Sequence, residues 1–202
     1  MPGPSVLVAL GGFVRPAFLA RGEALALAHP LLEAVGTPAE VYEGEHAALR
    51  LDERRATELA LPASVAADLD ARVAALAPAL ATHFDRALGP AEPLGVLRYE
   101  VGGHHRPHHD TGRGAPASAR VVSVVIFLND ATGAAGFTGG ALRVYGRLGP
   151  GLEDLALDIE AEAGTLLAFP SSWLHEVATV TAGVRLTAVT WFAGANGAAS
   201  RG

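Results

Sequence analysis

The sequence contains no cysteine, which excludes disulfides and thiolate metal sites and leaves His, Asp and Glu as the strong metal ligands. Lysine is absent too: all 15 basic residues are arginine, so covalent chemistry through a lysine amine is ruled out. No apolar run approaches the length that spans a bilayer, so no membrane partner is expected. A basic stretch is missing ahead of the apolar residues in MPGPSVLVALGGF, which therefore reads as a first strand and not as a signal peptide. Positive charge is scarce overall: the net charge of −6 argues against a nucleic-acid partner. The arginine-only, Ala- and Gly-rich composition points to a GC-rich bacterial genome, and the lack of cysteine fits a cytoplasmic protein. Nothing in these patterns indicates an oligomeric state.

What is present is enough for one domain with a full core, since half of the 202 residues are hydrophobic. Residues 1–90 read mostly as helical support. Pro16 is placed to open a helix through AFLARGEALALAH, and Pro30 to stop it. From Pro62 to Leu88, Val65, Leu69, Val73, Leu76, Leu80 and Phe84 recur at helical spacing, with Pro78 expected to kink or split the helix. The polar segment VYEGEHAALRLDERRATEL between them reads as strand plus exposed loop, and residues 40–58 are a candidate lid. Residues 91–193 carry seven short β-branched runs: LGVLRYEV, RVVSVVIFLN, GALRVYG, LALDIEA, GTLLAFP, LHEVATV and VRLTAVTWF. With Gly and Pro between them, they predict a mainly β fold, an antiparallel sandwich or jelly-roll barrel buttressed by the amino-terminal helices. The Gly-rich ATGAAGFTGG reads as a hairpin loop, and residues 194–202 as a flexible tail.

The chemistry concentrates in His108, Asp110, His175 and Arg185. Residues i and i+2 of an extended chain share a face, so His108 and Asp110 are able to reach one ion, with His175 arriving at the start of a later strand. Two histidines and one carboxylate form a facial ligand set for Fe(II) that leaves positions open. Structural zinc is disfavoured because it is usually closed by four ligands. His104, His105 and His109 are read as a solvated loop shaping the pocket mouth. On the strand VRLTAVTWF, alternation puts Arg185, Thr187, Val189 and Trp191 on one face. An inward arginine needs a counter-charge. A bound carboxylate or an internal acid of the fold would each serve, and Thr187 is a further donor to the former.

From Val96 to Phe192 the chain resembles the Fe(II)/2-oxoglutarate-dependent oxygenases, most closely the prolyl 4-hydroxylase-like group. The matching pieces are LRYEVGGHHRPHHD, RVVSVVIFLN, FTGGALRVY, GTLLAFPSSWLHEV and TVTAGVRLTAVTWF. The resemblance implies a double-stranded β-helix with iron at one open end, held by His108, Asp110 and His175. It implies 2-oxoglutarate as co-substrate, its distal carboxylate on Arg185, with O₂ as oxidant and ascorbate as a candidate reductant. Tyr99 would line the pocket and donate its phenol. Ser123, Val125 and Phe127 would alternate inward, with Trp191 and Val177 as apolar walls. Some relatives have a tyrosine where this chain has Phe127, so Thr187 or Tyr99 is left to supply that donor. Retention of Asp110 disfavours halogenation.

The implied activity is hydroxylation of an unactivated C–H bond. The candidate substrates are a prolyl residue in a peptide or protein and a free amino acid or other small metabolite. Arg54, Arg55, Arg113 and Arg120 are candidate partners for a substrate carboxylate. The alternatives are a cupin-like metal-dependent dioxygenase or isomerase without 2-oxoglutarate, and a non-enzymatic binding module on the same barrel.

Overall fold

The computed structural model describes residues 5–43, 46–112, 114, 116–133 and 135–195, the side chains of residues 42, 43, 46 and 47 excepted. Arg113, the tip of the candidate lid at 44–45 and most of the expected tail at 194–202 lie outside the described residues.

All seven expected runs form strands, and every described pairing is antiparallel. The larger sheet runs, in spatial order, through Phe13–Arg15, Leu166–Pro170, Arg120–Phe127, Arg185–Gly194, Gly95–Tyr99, Thr57–Leu59 and Thr37–Pro38, with Leu88–Ala91 also pairing to Arg185–Gly194. The smaller sheet runs through Ala156–Ile159, Leu142–Tyr145, His175–Val177, His104–His108 and Arg54–Arg55.

Period-two alternation sorts the two faces of the larger sheet. Val122, Val124, Ile126, Ala188 and Phe192 turn outward onto the helices, where they join Ala24, Ala28, Leu69, Val73 and Leu80 in one buried cluster. Val125, Phe127, Leu167 and Phe169 turn inward and meet Leu142, Val144 and Ile159 of the smaller sheet. The barrel interior is thus built from the residues that the helices do not cover. Arg98, on the outer face, donates from Nη1 to the carbonyls of Leu31, Leu32 and Ala34 and so closes the carboxy-terminal end of the first long helix.

Three expectations about the amino-terminal part are corrected. The segment read as a first strand is a short helix, Ser5–Ala9, with the strand following at Phe13–Arg15. Burial of Leu7 against the second core cluster overrides the β preference of its neighbours. The helix expected to open at Pro16 opens at Arg21, because residues 16–19 are drawn into a turn in which the Leu19 N–H donates to the Gly164 carbonyl at 3.0 Å. Pro30 does not stop that helix but lies inside it, one residue from its end, where its missing N–H costs a single hydrogen bond. The second helix splits into Ala63–Ala74 and Ala77–His83, with Pro78 in the first turn of the latter. No described helix is long and apolar enough to cross a membrane.

One buried carboxylate ties helix to barrel. Asp130 accepts hydrogen bonds from the Ala163 N–H (2.9 Å), the Thr132 N–H (2.9 Å) and hydroxyl (2.6 Å), and the Arg21 guanidinium (3.0 Å). Burial would raise its pKa, but the Ala163 and Thr132 donors and Arg21 together hold it below the usual carboxylate range. Asp130→Ala leaves the Ala163 donor unpaired and should cost about 2–3 kcal/mol. A folded pKa below the unfolded one means that Asp130 stabilises the fold above about pH 4 and loses that contribution as pH falls through the lowered value. Thermal melts should therefore show the variant and the wild type converging on acidification. A constant gap between them from pH 7 to pH 3 would contradict this role.

Candidate active site

The strand His104–His108 pairs with His175–Val177 so that His108 stands directly opposite His175. This register, and not proximity in sequence, brings the two imidazoles together, with ring centroids 4.3 Å apart. Asp110 lies just past the strand end, so simple alternation does not place it, contrary to the i, i+2 expectation. The Asp110 and Thr111 N–H groups both donate to the Ser171 carbonyl, at 3.0 and 3.2 Å. That turn brings Asp110 Oδ1 to 3.5 Å from His108 Nε2 and Oδ2 to 3.5 Å from His175 Nε2.

Donors sharing one divalent ion at about 2.0–2.2 Å each lie no more than about 4.4 Å apart, so the 3.5 Å separations suit a common metal. Among the described residues these three form the His/Asp/Glu group with ligand atoms mutually within 4.8 Å. His108 Nδ1 meets the Arg106 carbonyl at 2.7 Å and His175 Nδ1 meets the Trp173 carbonyl at 2.9 Å. With Nδ1 as the donor to these carbonyls, Nε2 of each ring presents its lone pair to the centre. Burial pushes the His175 pKa down to about 4, Asp110 opposing and His108 adding to the fall. Burial acts to raise the Asp110 carboxyl, yet His175, His108 and the Ser123 hydroxyl overcome it and hold the group ionised. A neutral imidazole and a carboxylate are the protonation states a metal requires.

Ser123 is a site residue whose role the sequence did not disclose. Its hydroxyl donates to Asp110 Oδ2 at 2.6 Å and lies 3.0 Å from Ser171 Oγ. A lone polar residue in the apolar run RVVSVVIF was the available signal. The other histidines stand outside the donor set, as expected. His104 is bonded to the carbonyls of Gly102 and Asp52, and His109 to that of Ser172. His104 and His105 are not in a loop, however: they belong to the same strand as His108, with the His105 ring stacked on His108 at 3.5 Å between centroids, while His109 lies past the strand end. Burial, then the nearby His108 and Arg54, drives the His105 pKa far down.

Behind this cluster a cavity of about 390 Å³ runs into the barrel, lined by His108, Asp110, His175, Tyr99, Arg185 and Thr187. Arg185 is 1% exposed and makes no ion pair with a described residue. The internal acid that would have satisfied it is absent among the described residues. Its Nη1 donates to Thr187 Oγ1 at 3.2 Å, while Nε is buried without an acceptor. Burial pushes its pKa down to about 10, Tyr99 alone opposing. Tyr99 pairs with Arg185 across the sheet, and the Tyr99 and Phe127 rings lie 5.2 and 5.3 Å from the guanidinium carbon. Val177 and Trp191 line the same cavity. Gly140 packs against the Arg185 side chain. Its φ of +64° is a left-handed conformation, and a Cβ there would come within 2.9 Å of Arg185 Cδ. The hairpin-loop composition of ATGAAGFTGG carries no sign of this contact with Arg185.

Comparison with known proteins places this arrangement. Residues 94–193 match the model of the 2OG-Fe(II) oxygenase superfamily. A PKHD-type hydroxylase of Thermosynechococcus vestitus is 40% identical over 102 residues, covering 49% of this chain and 42% of that protein. One from Acaryochloris marina is 36% identical over 139 residues, covering 67% of this chain and 58% of the relative. The chain thus spans about half the length of the curated relatives it matches. Among solved structures, a Pseudomonas putida prolyl-4-hydroxylase superposes with a TM-score of 0.67 at 24% identity, covering 94% of this chain and 96% of that one. A Trichoplax adhaerens prolyl hydroxylase, solved with a hypoxia inducible factor peptide fragment, gives 0.71 at 17% identity over 98% of this chain and 90% of its own. These two likenesses establish a prolyl 4-hydroxylase-like fold. The family whose members use Fe(II), 2-oxoglutarate and O₂ is matched across the barrel that carries the cluster, and the chain belongs to the 2OG-Fe(II) oxygenase superfamily.

Proposed function

We propose that this protein is an Fe(II)- and 2-oxoglutarate-dependent dioxygenase that hydroxylates an unactivated C–H bond. A prolyl residue in a peptide or protein is the first candidate substrate, and a free amino acid or small metabolite the second. The observation that carries the reading is Arg185: a buried guanidinium without a counter-ion among the described residues, opening into the cavity that holds the His–Asp–His cluster. A cupin-like enzyme without 2-oxoglutarate would have no use for such a residue.

In this reading His108, Asp110 and His175 would hold Fe(II), and the Ser123 hydroxyl fixes the orientation of the Asp110 carboxylate. Arg185 would bind the distal carboxylate of 2-oxoglutarate through paired N–H donors, and that carboxylate would supply the counter-charge to the buried guanidinium. Thr187 accepts from Arg185 and keeps its own proton to donate to the same carboxylate, in the place where Phe127 offers none. Tyr99 adds its phenol to that end of the pocket. Bound iron and 2-oxoglutarate supply the oxidation: O₂ converts the co-substrate to succinate and CO₂ and places one oxygen atom in the substrate C–H bond. The apolar walls Val177 and Trp191 orient the substrate and limit water. The candidate lid at residues 40–58 is anchored in both sheets through Arg54–Arg55 and Thr57–Leu59, and Glu40, Val41, Arg54 and Glu58 line this mouth. The whole operates as one cytoplasmic domain, residues 1–90 supporting a catalytic core at 91–193.

Incubation with Fe(II), 2-oxoglutarate, O₂ and a panel of prolyl peptides and free amino acids tests the reading. The expected result is succinate formed in equal amount with a product 16 Da heavier. A product that forms equally well without 2-oxoglutarate would overturn it. Gly140→Ala provides an independent check. The added methyl must displace Arg185 Cδ and adopt a disfavoured φ, so the 2-oxoglutarate dissociation constant should rise about tenfold. Calorimetric titration of the anaerobic protein reads it, and unchanged affinity would show that Arg185 does not set the binding geometry.

A further inference from the structure

Of the three arginines that line the active-site cavity, two are accounted for. Asp110 belongs to the metal cluster, and Arg185 is assigned to the co-substrate. Arg120 is engaged twice over: Glu92 accepts from its Nε and Nη2 at 2.6 and 2.7 Å, and its guanidinium lies 3.8 Å from the Trp191 ring centre. Arg55 is exposed and does not line the cavity. Arg54 does line it. It donates from Nη1 to the Glu40 carbonyl at 2.8 Å, its Nε is buried without an acceptor, and it makes no ion pair with a described carboxylate.

Its position gives that vacancy a purpose. Arg54 pairs with His105 across the smaller sheet, and the His105 ring stacks directly on His108. The guanidinium therefore stands one imidazole away from the metal cluster, whereas Arg185 lies on a strand of the opposite sheet. A substrate held at Arg54 would meet the cluster without competing for the site of 2-oxoglutarate.

Resting on the functional reading above, we propose that Arg54 is the substrate anchor and that the substrate carries a carboxylate. One guanidinium matches one carboxylate through its fork of donors. Glu40 and Glu58, which line the same mouth, would repel a doubly charged phosphate. The carboxylate is either that of a small amino acid derivative or that of an acidic residue beside the target in a peptide.

Two probe pairs that differ only in the carboxylate separate these sources: N-acetyl-L-proline against its amide, and capped Ala-Pro-Asp against capped Ala-Pro-Asn. Each is titrated anaerobically into the protein loaded with Fe(II) and 2-oxoglutarate, and perturbation of the visible chelate band is followed. The acid of at least one pair should half-saturate at a concentration about tenfold or more below its neutral partner. R54Q should erase that preference while leaving the 2-oxoglutarate dissociation constant unchanged, and R54K, charged but without the fork, should retain part of it. A preference in the first pair assigns a small carboxylate, and one in the second assigns an acidic peptide. Equal affinities within both pairs, no perturbation by either acid, or a preference that survives in R54Q would each overturn the proposal. The wild-type comparison stands even where a variant fails to fold. Absence of the chelate band would remove the functional reading beneath the proposal, and the proposal with it.

Discussion

Arg185→Met is expected to raise the dissociation constant for 2-oxoglutarate at least a hundredfold while raising the melting temperature of the protein without ligand. The two effects share one cause. Arg185 is 1% exposed, lacks an ion-pair partner among the described residues, and has its pKa lowered to about 10 by burial. A base whose pKa falls on folding destabilises the fold at every pH below the folded value, because the charged form loses its hydration. An apolar side chain of similar length removes that penalty, and replacement of buried charges by packed apolar groups has gained about 1–4 kcal/mol elsewhere. For a chain of this size that corresponds to a rise on the order of 2–16 °C. The same replacement deletes a charge-assisted pair of hydrogen bonds to the co-substrate, each contributing about 1.5–3 kcal/mol. Calorimetric titration and a thermal melt on the same preparation measure both. A variant that binds 2-oxoglutarate normally, or that melts lower by the full cost of a lost native interaction, would remove Arg185 from the proposed role.

His175→Ala should abolish hydroxylation and lower Fe(II) affinity by more than about a hundredfold, since loss of even a group that hydrogen-bonds to a metal ligand costs about 10–100-fold. His175 is buried, and with Nδ1 donating to the Trp173 carbonyl its Nε2 remains directed at the cluster. His104→Ala is the control, because that ring is committed to the carbonyls of Gly102 and Asp52 and is outside the ligand set. It should retain one equivalent of iron. Iron retained equally by both variants would disprove the proposed ligand set.

The barrel was legible in the sequence because each of its seven β-branched runs carries its own periodicity and is closed by Gly or Pro. The strand His104–His108 was not. HHRPHH has no β-branched residue and contains Pro107, and it becomes a strand only by pairing with His175–Val177 and with Arg54–Arg55. Arg54 and Arg55 meet His105 and His104, so Pro107, which has no N–H to donate, lies beyond the part of the strand paired on that side. The first residues misled in the opposite way, their Val and Leu reading as a strand where tertiary burial of Leu7 holds a helix. At the site, residue identities were readable and partnerships were not. Asp110 was expected to converge with His108 by alternation, yet it is set by two N–H donors to Ser171 and by the hydroxyl of Ser123, contacts between segments distant in sequence. Arg54 stood among four arginines with equal claims. Only the structure shows that Arg120 is already held by Glu92 and Trp191 and that Arg54 is not held by any described carboxylate.

We propose that the His–Asp–His cluster and Arg185 form a single site for Fe(II) and 2-oxoglutarate. Anaerobic addition of both to the purified protein, followed by visible absorption, tests it most directly. A metal-to-ligand charge-transfer band should appear, saturate at one equivalent of each and require both His175 and Arg185. Iron bound at one equivalent with no such band at saturating 2-oxoglutarate would contradict it.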